Sequence, residues 1–354
     1  MVRVIAEAGV NHNGKRNMAF QLVKVAAEAG ADAVKFQTFN AERLAALTAP
    51  KAKYQRATTD ALESQSAMLK KLELPAEWHF ELQRYAGELG ITFISTAFDL
   101  QSLAFLQTLD LPYYKIPSGE ITNGPLLLAF AQTSKELIIS TGMATLGEIE
   151  QALAIVAFGY AHEAEPESLE QVWRFWSNPE VQASLQGKVS LLHCTSQYPT
   201  PMKEVNLKAM GALANAFGLP VGYSDHTQGL VIPTAAVALG ATIIEKHFTL
   251  DRTLPGPDHK ASLEPDELAD LVRNIRDVEQ ALGDGIKKPQ PSEWDTRQAA
   301  RQQVIFCEPV KKGENIQRSA LSTARCGRGV SPMGLWDMVG KIASEAHAKG
   351  DVPE

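Results

Sequence analysis

Cysteine is scarce in this sequence. Only Cys194, Cys307 and Cys326 occur among 354 residues, and no two of them form a C-x-x-C pair. An odd number of scattered cysteines fits neither a disulfide framework nor a thiolate metal site. The sequence therefore predicts a protein of a reducing compartment.

Excess positive charge and long apolar runs are also missing. The formal net charge is −7, whereas binding to nucleic acid or to an anionic membrane requires a positive surface field. No apolar run reaches the roughly 18 residues of a membrane-spanning helix, and the first residues lack the apolar region of a signal peptide. These absences predict a cytoplasmic protein that binds neither nucleic acid nor membranes.

Strand-like and helix-like segments alternate along residues 1–283. Eight strands are indicated by the runs VRVIAEAG, ADAVKFQTF, ITFISTAFD, YYKIPSGE, ELIISTGM, KVSLLHCTS, PVGYSDHT and ATIIEKHFTL. Strict alternation indicates a parallel sheet, and eight units in roughly 250 residues match a closed barrel better than an open sheet. No G-x-G-x-x-G follows the first strand. The predicted fold class is α/β, a (β/α)8 TIM barrel.

Two segments depart from this alternation. Residues 284–297 contain proline and lysine and are predicted to be a linker, which leads to a small β-rich domain over residues 298–354. Residues 160–187 form a longer connection than usual before the sixth strand. We expect one or two short surface helices there, with Trp173, Phe175 and Trp176 buried.

Polar residues end nearly every predicted strand, at the barrel end where active sites of this fold lie. Lys35 and Lys115 close strands two and four, and two ammonium groups facing one cavity repel each other unless an anion lies between them. Neutral hydrogen-bonding groups at the same ends are Thr96, Ser118, Ser140 and Ser196. The set predicts a site for a small phosphorylated acid. The alternative is that each lysine forms a salt bridge with Glu7 or Glu120.

Two histidines end neighbouring strands. His226 and His247 close strands seven and eight, so their imidazoles can converge on one divalent metal, with Mn²⁺, Mg²⁺ or Co²⁺ preferred to structural zinc. A strand histidine can instead be an ordinary core residue.

Four carboxylates lie at or next to strand ends. Glu7 and Glu120 could act as general acid or base, and Glu245 and Asp225 could support the metal or its water. Asp258, further along the chain, could bind sugar hydroxyls. An ion pair or a helix cap is the plainer role for each of these carboxylates.

Ordered motifs carry a family resemblance. The segments EAGVNHNG, KFQTF, STAFD, KIPSGEITN, STGMATLGEIE, LLHCTSQYPTPM, VGYSDHT, IEKHFTLD, PGPDHKASLEPDEL and GRGVSPM resemble the bacterial sialic acid (N-acetylneuraminate) synthase family over nearly the whole chain. Long motifs in a fixed order are far more specific than one short pattern.

The resemblance implies a metal-dependent transferase. It would condense phosphoenolpyruvate with N-acetylmannosamine, release phosphate and form N-acetylneuraminate. It also implies a C-terminal antifreeze-like (SAF) domain and a domain-swapped homodimer. The implied residues are His226 and His247 for Mn²⁺ or another divalent metal, Lys35, Thr96, Lys115, Ser118 and Ser140 for phosphoenolpyruvate, Glu7 and Glu120 for proton transfer, Tyr198 and Asp258 for the sugar, and Arg325 for insertion into the partner's barrel.

Three alternatives stay open. Legionaminate synthase has nearly the same motifs and takes a 2,4-diacetamido-2,4,6-trideoxymannose acceptor instead. A Schiff-base aldolase or lyase on the same fold would use Lys115 or Lys246 as its nucleophile. A non-catalytic binding module built around the C-terminal domain is the third.

Overall fold

A computed structural model describes residues 1–46, 49–52, 55–56, 59–60 and 63–353. The chain divides into two compact units, Met1–Gly283 and Asp284–Glu354. In the described residues, no helix is both long and apolar enough to cross a membrane.

The first unit is built on eight parallel strands. In spatial order the sheet runs β3-β2-β1-β8-β7-β6-β5-β4, and each adjacent pair is parallel. The end strands β3 and β4 contact each other, which completes the ring. The predicted (β/α)8 barrel is therefore confirmed. The strands are β1 Arg3–Gly9, β2 Ala33–Thr38, β3 Thr92–Ala97, β4 Tyr113–Ile116, β5 Glu136–Ser140, β6 Val189–Cys194, β7 Val221–Asp225 and β8 Ile243–His247.

Helices surround this ring and connect successive strands. Several begin at a side chain that caps the first turn: Asp99 accepts a hydrogen bond from the Ser102 amide, and Thr145 and Glu148 form a reciprocal capping box. The described helices of this unit are α1 Arg16–Glu28, α2 Ala41–Leu44, α3 Gln65–Lys70, α4 Ala76–Glu88, α5 Leu100–Gln107, α6 Gly124–Gln132, α7 Leu146–Ala161, α8 Leu169–Trp176, α9 Pro179–Ala183, α10 Ala209–Phe217, α11 Val231–Ala238 and α12 Pro265–Leu282, with short 3₁₀ turns at Ser118–Glu120, Met202–Glu204 and His259–Ala261.

The connection before β6 contains two short helices, α8 and α9, as the sequence predicts. Trp176 is buried and Phe175 packs partly against the core. Trp173 is 36% exposed, so the prediction that all three aromatic residues are buried is wrong for this one. It directly follows Val172, which with Trp176 forms the buried face of this short amphipathic helix, so its side chain points away from that face.

The inside of the barrel is closed by a layer of apolar side chains. These are Ile5, Ala33, Ile94, Tyr113, Ile138, Leu192 and Ile243, one from each strand except β7. On β7 the equivalent position is Gly222, where a Cβ atom would lie 2.7 Å from Leu192 Cδ2. Its neighbours fill the space that a side chain would need. We call these seven residues and Gly222 the apolar layer.

The second unit is small. It contains an antiparallel pair, β9 Gln303–Phe306 and β10 Leu321–Ala324, and an apolar cluster that includes Val304, Phe306 and Leu321. A 3₁₀ turn at Pro291–Glu293 and helix α13 Trp294–Ala300 occupy the end of the predicted linker, and further 3₁₀ turns lie at Arg318–Ala320 and Pro332–Gly334. Residues 284–290 are irregular, as expected of the predicted linker, whereas its remaining part from Pro291 onwards is helical.

Candidate active site

A ring of polar side chains lies directly above the apolar layer. Each member follows an apolar-layer residue by two positions, so its side chain points to the same inner side of the strand. The members are Glu7, Lys35, Thr96, Lys115, Ser140, Cys194, Ser224 and Glu245, and all line a cavity of about 460 Å³. We call this set the polar layer.

Glu245 lies between the two lysines. Its carboxylate oxygens are 3.5 Å from Lys35 Nζ and 3.2 Å from Lys115 Nζ, and Lys35 Nζ is also 2.8 Å from Glu7 Oε2. An anion does lie between the lysines, as expected, but it is the buried Glu245 carboxylate, so their proximity does not by itself require an anionic ligand. The predicted alternative partner is right for Lys35, which pairs with Glu7, whereas Lys115 pairs with Glu245 instead of Glu120.

The two carboxylates of the polar layer differ in proton affinity. Burial and the nearby Glu245 charge raise the pKa of Glu7, although Lys35 opposes the rise. Burial also acts to raise the pKa of Glu245, but Lys115 and Lys35 outweigh it and hold that pKa well below its usual range. Such divergence separates a proton donor from a permanently ionised group.

The two predicted metal ligands lie side by side at the cavity. The ring centroids of His226 and His247 are 5.4 Å apart. His226 Nδ1 lies 2.8 Å from the Thr195 carbonyl oxygen, so it donates there and leaves Nε2 for a ligand. Nδ1 of His247 is buried without a hydrogen-bond partner in the described residues.

Burial and the neighbouring cations lower the pKa of His247 well below its usual value, which keeps the imidazole in its neutral, metal-binding form. No group of three or more His, Cys, Asp or Glu in the described part of the chain is arranged to hold a metal. The residues present therefore fit a metal held by two imidazoles, with water or substrate completing its coordination.

Aromatic and acidic groups lie next to the imidazoles. The centroid of the Tyr198 ring lies 4.0 Å from that of His226 and 5.6 Å from that of His247, with the His247 ring edge-on to the tyrosine. Asp258 is buried at the cavity, and burial together with the Glu7 charge raises its pKa to about 7. This part of the cavity thus combines an aromatic surface with a carboxyl group that can lose its proton near neutral pH.

Serine hydroxyl groups line the cavity at the ends of β4, β5 and β6. Ser118 Oγ accepts a hydrogen bond from the Gly142 amide at 3.0 Å, and Ser196 also lines the cavity. A Cβ atom at Gly142 would collide with both serine hydroxyls, so only glycine allows this approach. The Ser140 hydroxyl is buried and lacks a hydrogen-bond partner in the described residues. It is available to a bound ligand.

Glu120 lies at the rim rather than on the strand. It ends the 3₁₀ turn after β4, is half-buried, and accepts a hydrogen bond from Asn123 Nδ2 at 2.7 Å. It nevertheless lines the same cavity as Glu7. The cavity therefore brings together every barrel residue that the family resemblance implies for the site, together with Ser196.

Comparison with known proteins identifies the family, because the NeuB family model matches residues 22–287. The chain belongs to the NeuB family. It is 47% identical to the N,N'-diacetyllegionaminic acid synthase of Campylobacter jejuni, over 99% of this chain and 98% of that protein. It is also 47% identical to the protein of the same name from Legionella pneumophila, with 96% and 90% covered.

A solved NeuB-like structure is also similar to this chain. The N-acetylneuraminic acid (sialic acid) synthetase of Leptospira borgpetersenii superposes with a TM-score of 0.67 at 35% identity, covering 83% of this chain and 90% of that one. Its structure was determined in complex with citrate. The fold and the family are thus shown together.

Sequence reasoning about this NeuB-family chain missed part of the polar layer. Cys194 and Ser224 of this layer were not predicted. Gln37, a further cavity residue outside the layer, was also not predicted, and it donates a hydrogen bond to Glu7 Oε1 at 3.1 Å. Glu245 was expected only in support of the metal, yet it contacts both lysines. The available signal was the two-residue spacing from the apolar layer, which selects Cys194, Ser224 and Glu245.

Two other expectations for this NeuB-family chain are wrong. Lys246 and Asp225 form an ion pair of 2.6 Å, with both side chains fully buried. Neither residue lines the cavity in the described structure, since Lys246 lies between the inward-pointing Glu245 and His247. Lys246 therefore does not face the cavity as a Schiff-base nucleophile, and the side-chain contacts of Asp225 are with Lys246 and Thr227 rather than with either imidazole.

Arg325 belongs to the second unit of the NeuB-family chain. It follows β10 and is exposed. Its insertion into a partner's barrel stays a prediction.

Proposed function

We propose that this protein is an N,N'-diacetyllegionaminate synthase, which condenses phosphoenolpyruvate with 2,4-diacetamido-2,4,6-trideoxymannose. The higher identity to the two legionaminic acid synthases, 47% against 35% for the sialic acid synthetase, supports this acceptor rather than N-acetylmannosamine. The expectation of N-acetylneuraminate as the product is revised accordingly.

The observation that carries the chemistry is the position of the polar layer and both imidazoles in one cavity. A donor with a phosphate and a carboxylate needs cations and hydroxyl donors, and an aldehyde acceptor needs a group that polarises its oxygen. Lys35 and Lys115 provide the cations, and the unpartnered Ser140 hydroxyl provides a donor. We assign Thr96, Ser118 and Ser196 to the same donor pocket.

The two lysines bind the donor without losing their protein partners. Glu245 holds both ammonium groups at the cavity, because the three groups form one buried network. Because Glu245 already compensates the loss of water around Lys35 and Lys115, a dianionic or trianionic donor only adds contacts to these two lysines. Preorganised charge of this kind stabilises bound phosphate without rearrangement.

His226 and His247 would hold a divalent cation, Mn²⁺ in this proposal. When bound, the cation supplies Lewis-acid polarisation of the aldehyde. Tyr198 packs against both imidazoles and restricts their orientation. Asp258 and Tyr198 together form the surface on which the sugar hydroxyl and amide groups rest.

The reaction forms one carbon–carbon bond and breaks one carbon–oxygen bond. C3 of phosphoenolpyruvate bonds to the aldehyde carbon, a water oxygen adds at C2, and phosphate leaves with the bridging oxygen to give a 2-keto acid. The Glu7 carboxyl, whose pKa is raised by burial, donates a proton to the aldehyde oxygen. Glu120, at the half-buried rim, accepts the proton of the attacking water.

The test is phosphate release from phosphoenolpyruvate with each acceptor sugar supplied separately, before and after chelation. We expect metal-dependent release with preference for the diacetamido sugar. Preference for N-acetylmannosamine would instead make the protein a sialic acid synthase. Inactivation by borohydride in the presence of pyruvate would support the Schiff-base alternative through Lys115.

We further propose that the functional form is a domain-swapped homodimer in which the second unit, as an antifreeze-like domain, contributes Arg325 to a partner's site. Size measurement in solution tests the dimer. A monomer that remains fully active would contradict it.

A further inference from the structure

One side of the cavity is chemically unlike the polar layer. Among the described residues that line the cavity, those contributed by positions 39–72 are apolar except for Gln55 and Gln65. The apolar members include Phe39, Leu44, Met68, Leu69 and Leu72, and Phe98 continues the same surface from the end of β3. We call these six residues the apolar wall.

The apolar wall is a separate cluster from the main barrel core. Phe39, Met68 and Leu72 are buried together, and Leu44, Leu69 and Phe98 are half-buried against them. The rings of Phe39 and Phe98 meet edge to face at 6.0 Å. The half-buried members line the cavity, so apolar surface faces whatever the cavity binds.

Two amide side chains accompany this surface. Gln65 Nε2 lies 3.4 Å from Gln55 Oε1, and both residues line the cavity. Carboxamides are neutral and can both donate and accept hydrogen bonds. They match an acetamido group better than they match a phosphate or a carboxylate.

Charged and apolar side chains lie on different sides of the cavity, and this indicates where each end of the acceptor sugar binds. The acidic donor requires the lysines of the polar layer, and the reacting aldehyde requires the imidazoles, so the far end of the sugar is left for the remaining wall. The proposed acceptor carries a methyl group at C6 and an acetamido group at C4, where N-acetylmannosamine carries hydroxyls. A buried hydroxyl against apolar side chains loses its water without a new partner.

We infer that the apolar wall, with Gln55 and Gln65, binds the C4 and C6 substituents of the acceptor and sets the preference for the 6-deoxy diacetamido sugar. This assignment rests on the proposed function. It names specificity-determining residues that, except for Phe98 after β3, lie on the segment between β2 and β3.

Binding of unreactive sugar alcohols tests the wall apart from catalysis. Dissociation constants are measured by calorimetry, with Mn²⁺ present, for the alcohols obtained by reducing the two acceptor sugars. We expect the wild-type protein to bind the diacetamido alcohol about tenfold more tightly or better, as for other apolar pockets that distinguish a methyl from a hydroxyl-bearing group. Leu44→Asn and Leu69→Asn should each reduce this ratio to about threefold or less.

Matched variants make the outcome decisive. Leu44 and Leu69 are half-buried, so asparagine there empties no fully buried position, and circular dichroism verifies the fold. Leu207→Asn is the control, because Leu207 is also half-buried but packs against the main core away from the cavity. It should keep the wild-type ratio. The same ratio in wild type and in both wall variants would overturn the assignment.

Turnover distinguishes failure of the wall from failure of the proposed function. A wild type that releases phosphate with the diacetamido sugar, but whose variants keep the wild-type binding ratio, would refute the wall and leave the function standing. A wild type that binds the diacetamido alcohol selectively and loses this selectivity in the wall variants, but releases no phosphate, would support the wall and refute the function.

Discussion

Two buried lysine–carboxylate groups lie in the barrel, and they differ in what surrounds them. Lys246 and Asp225 face outward from β8 and β7, where the lysine also contacts the Thr227 carbonyl and the aspartate accepts two hydrogen bonds from Thr227. Glu245, one residue before Lys246, faces inward and contacts Lys35 and Lys115. Both side chains of the outward pair are fully buried away from the cavity, whereas the inward group lines it.

The difference shows that burial of charge does not by itself mark a functional site. Both groups are removed from water and both form close ion pairs. Only the inward group leaves charge where a ligand can reach it. We therefore expect the outward pair to stabilise the fold and the inward network to bind substrate.

The proposed metal ligands give the largest expected effect on the inward side. Chelation, or His247→Ala, should lower phosphate release on the order of a thousandfold, because the proposed cation would supply several kcal/mol of barrier reduction. Mn²⁺ should restore the chelated wild type but not the variant. Full activity in the metal-free protein, verified by metal analysis, would remove the metal from the mechanism.

Lysine-to-methionine substitution compares the two groups directly. Lys246→Met should lower the free energy of unfolding by about 3–5 kcal/mol, because Asp225 is left as an unpaired buried charge. Lys115→Met should cost less stability, since Glu245 retains Lys35, but should lower kcat/KM by about a hundredfold or more. Denaturant unfolding and phosphate release are measured on both variants.

The double variant Lys246→Met with Asp225→Leu serves as the control, since removing both charges should recover much of the lost stability. If Lys246→Met instead impaired catalysis at unchanged stability, the division between a folding pair and a binding network would fail.

A second contrast concerns two buried aspartates. Asp225 pairs with Lys246, whereas Asp258 at the cavity has a pKa raised to about 7 by burial and Glu7. A raised folded-state pKa means that Asp258 contributes stability at low pH, and this contribution is lost as pH rises from about 4 towards 7. Asp258→Asn should therefore flatten the stability profile across this window. Identical profiles in denaturant titrations of both proteins would refute the assignment.

Arg325 gives a smaller effect and tests a charge outside the barrel. Arg325→Ala should raise KM for the amino sugar by about tenfold, as expected for loss of one charged contact worth 1.5–3 kcal/mol, with little change in stability. Arg328→Ala is the matched control, because Arg328 is also exposed in the same unit. Equal kinetics in the two variants would contradict the inserted-arginine proposal.

Local sequence patterns were enough to predict the barrel and many of the residues that line its cavity. Alternating apolar periodicities locate strands and helices, and polar strand ends mark the site, so His226, His247, Lys35 and Lys115 could be placed from sequence. The alternation of side chains along a strand could also have excluded Lys246 from the cavity, because this residue lies between Glu245 and His247, which both face inward.

Contacts across the barrel could not be predicted in the same way. Glu245 on β8 meets lysines from β2 and β4, neither of which is a neighbouring strand. Such contacts depend on how far the ring closes and on which side chains fill its centre. The apolar wall is equally non-local, since the long segment between β2 and β3 brings it to the cavity from outside the strands.

The apolar layer also constrains the order of events during turnover. Because Ile5, Tyr113, Leu192 and their neighbours close the barrel beneath the polar layer, substrates enter and products leave through one mouth. In the proposed reaction the donor binds at the polar layer, directly above the apolar layer, so the sugar, arriving second, covers it. Phosphate can then leave only after the larger product has dissociated. We expect an ordered mechanism in which the donor binds first and phosphate is released last, so phosphate should inhibit competitively against the donor.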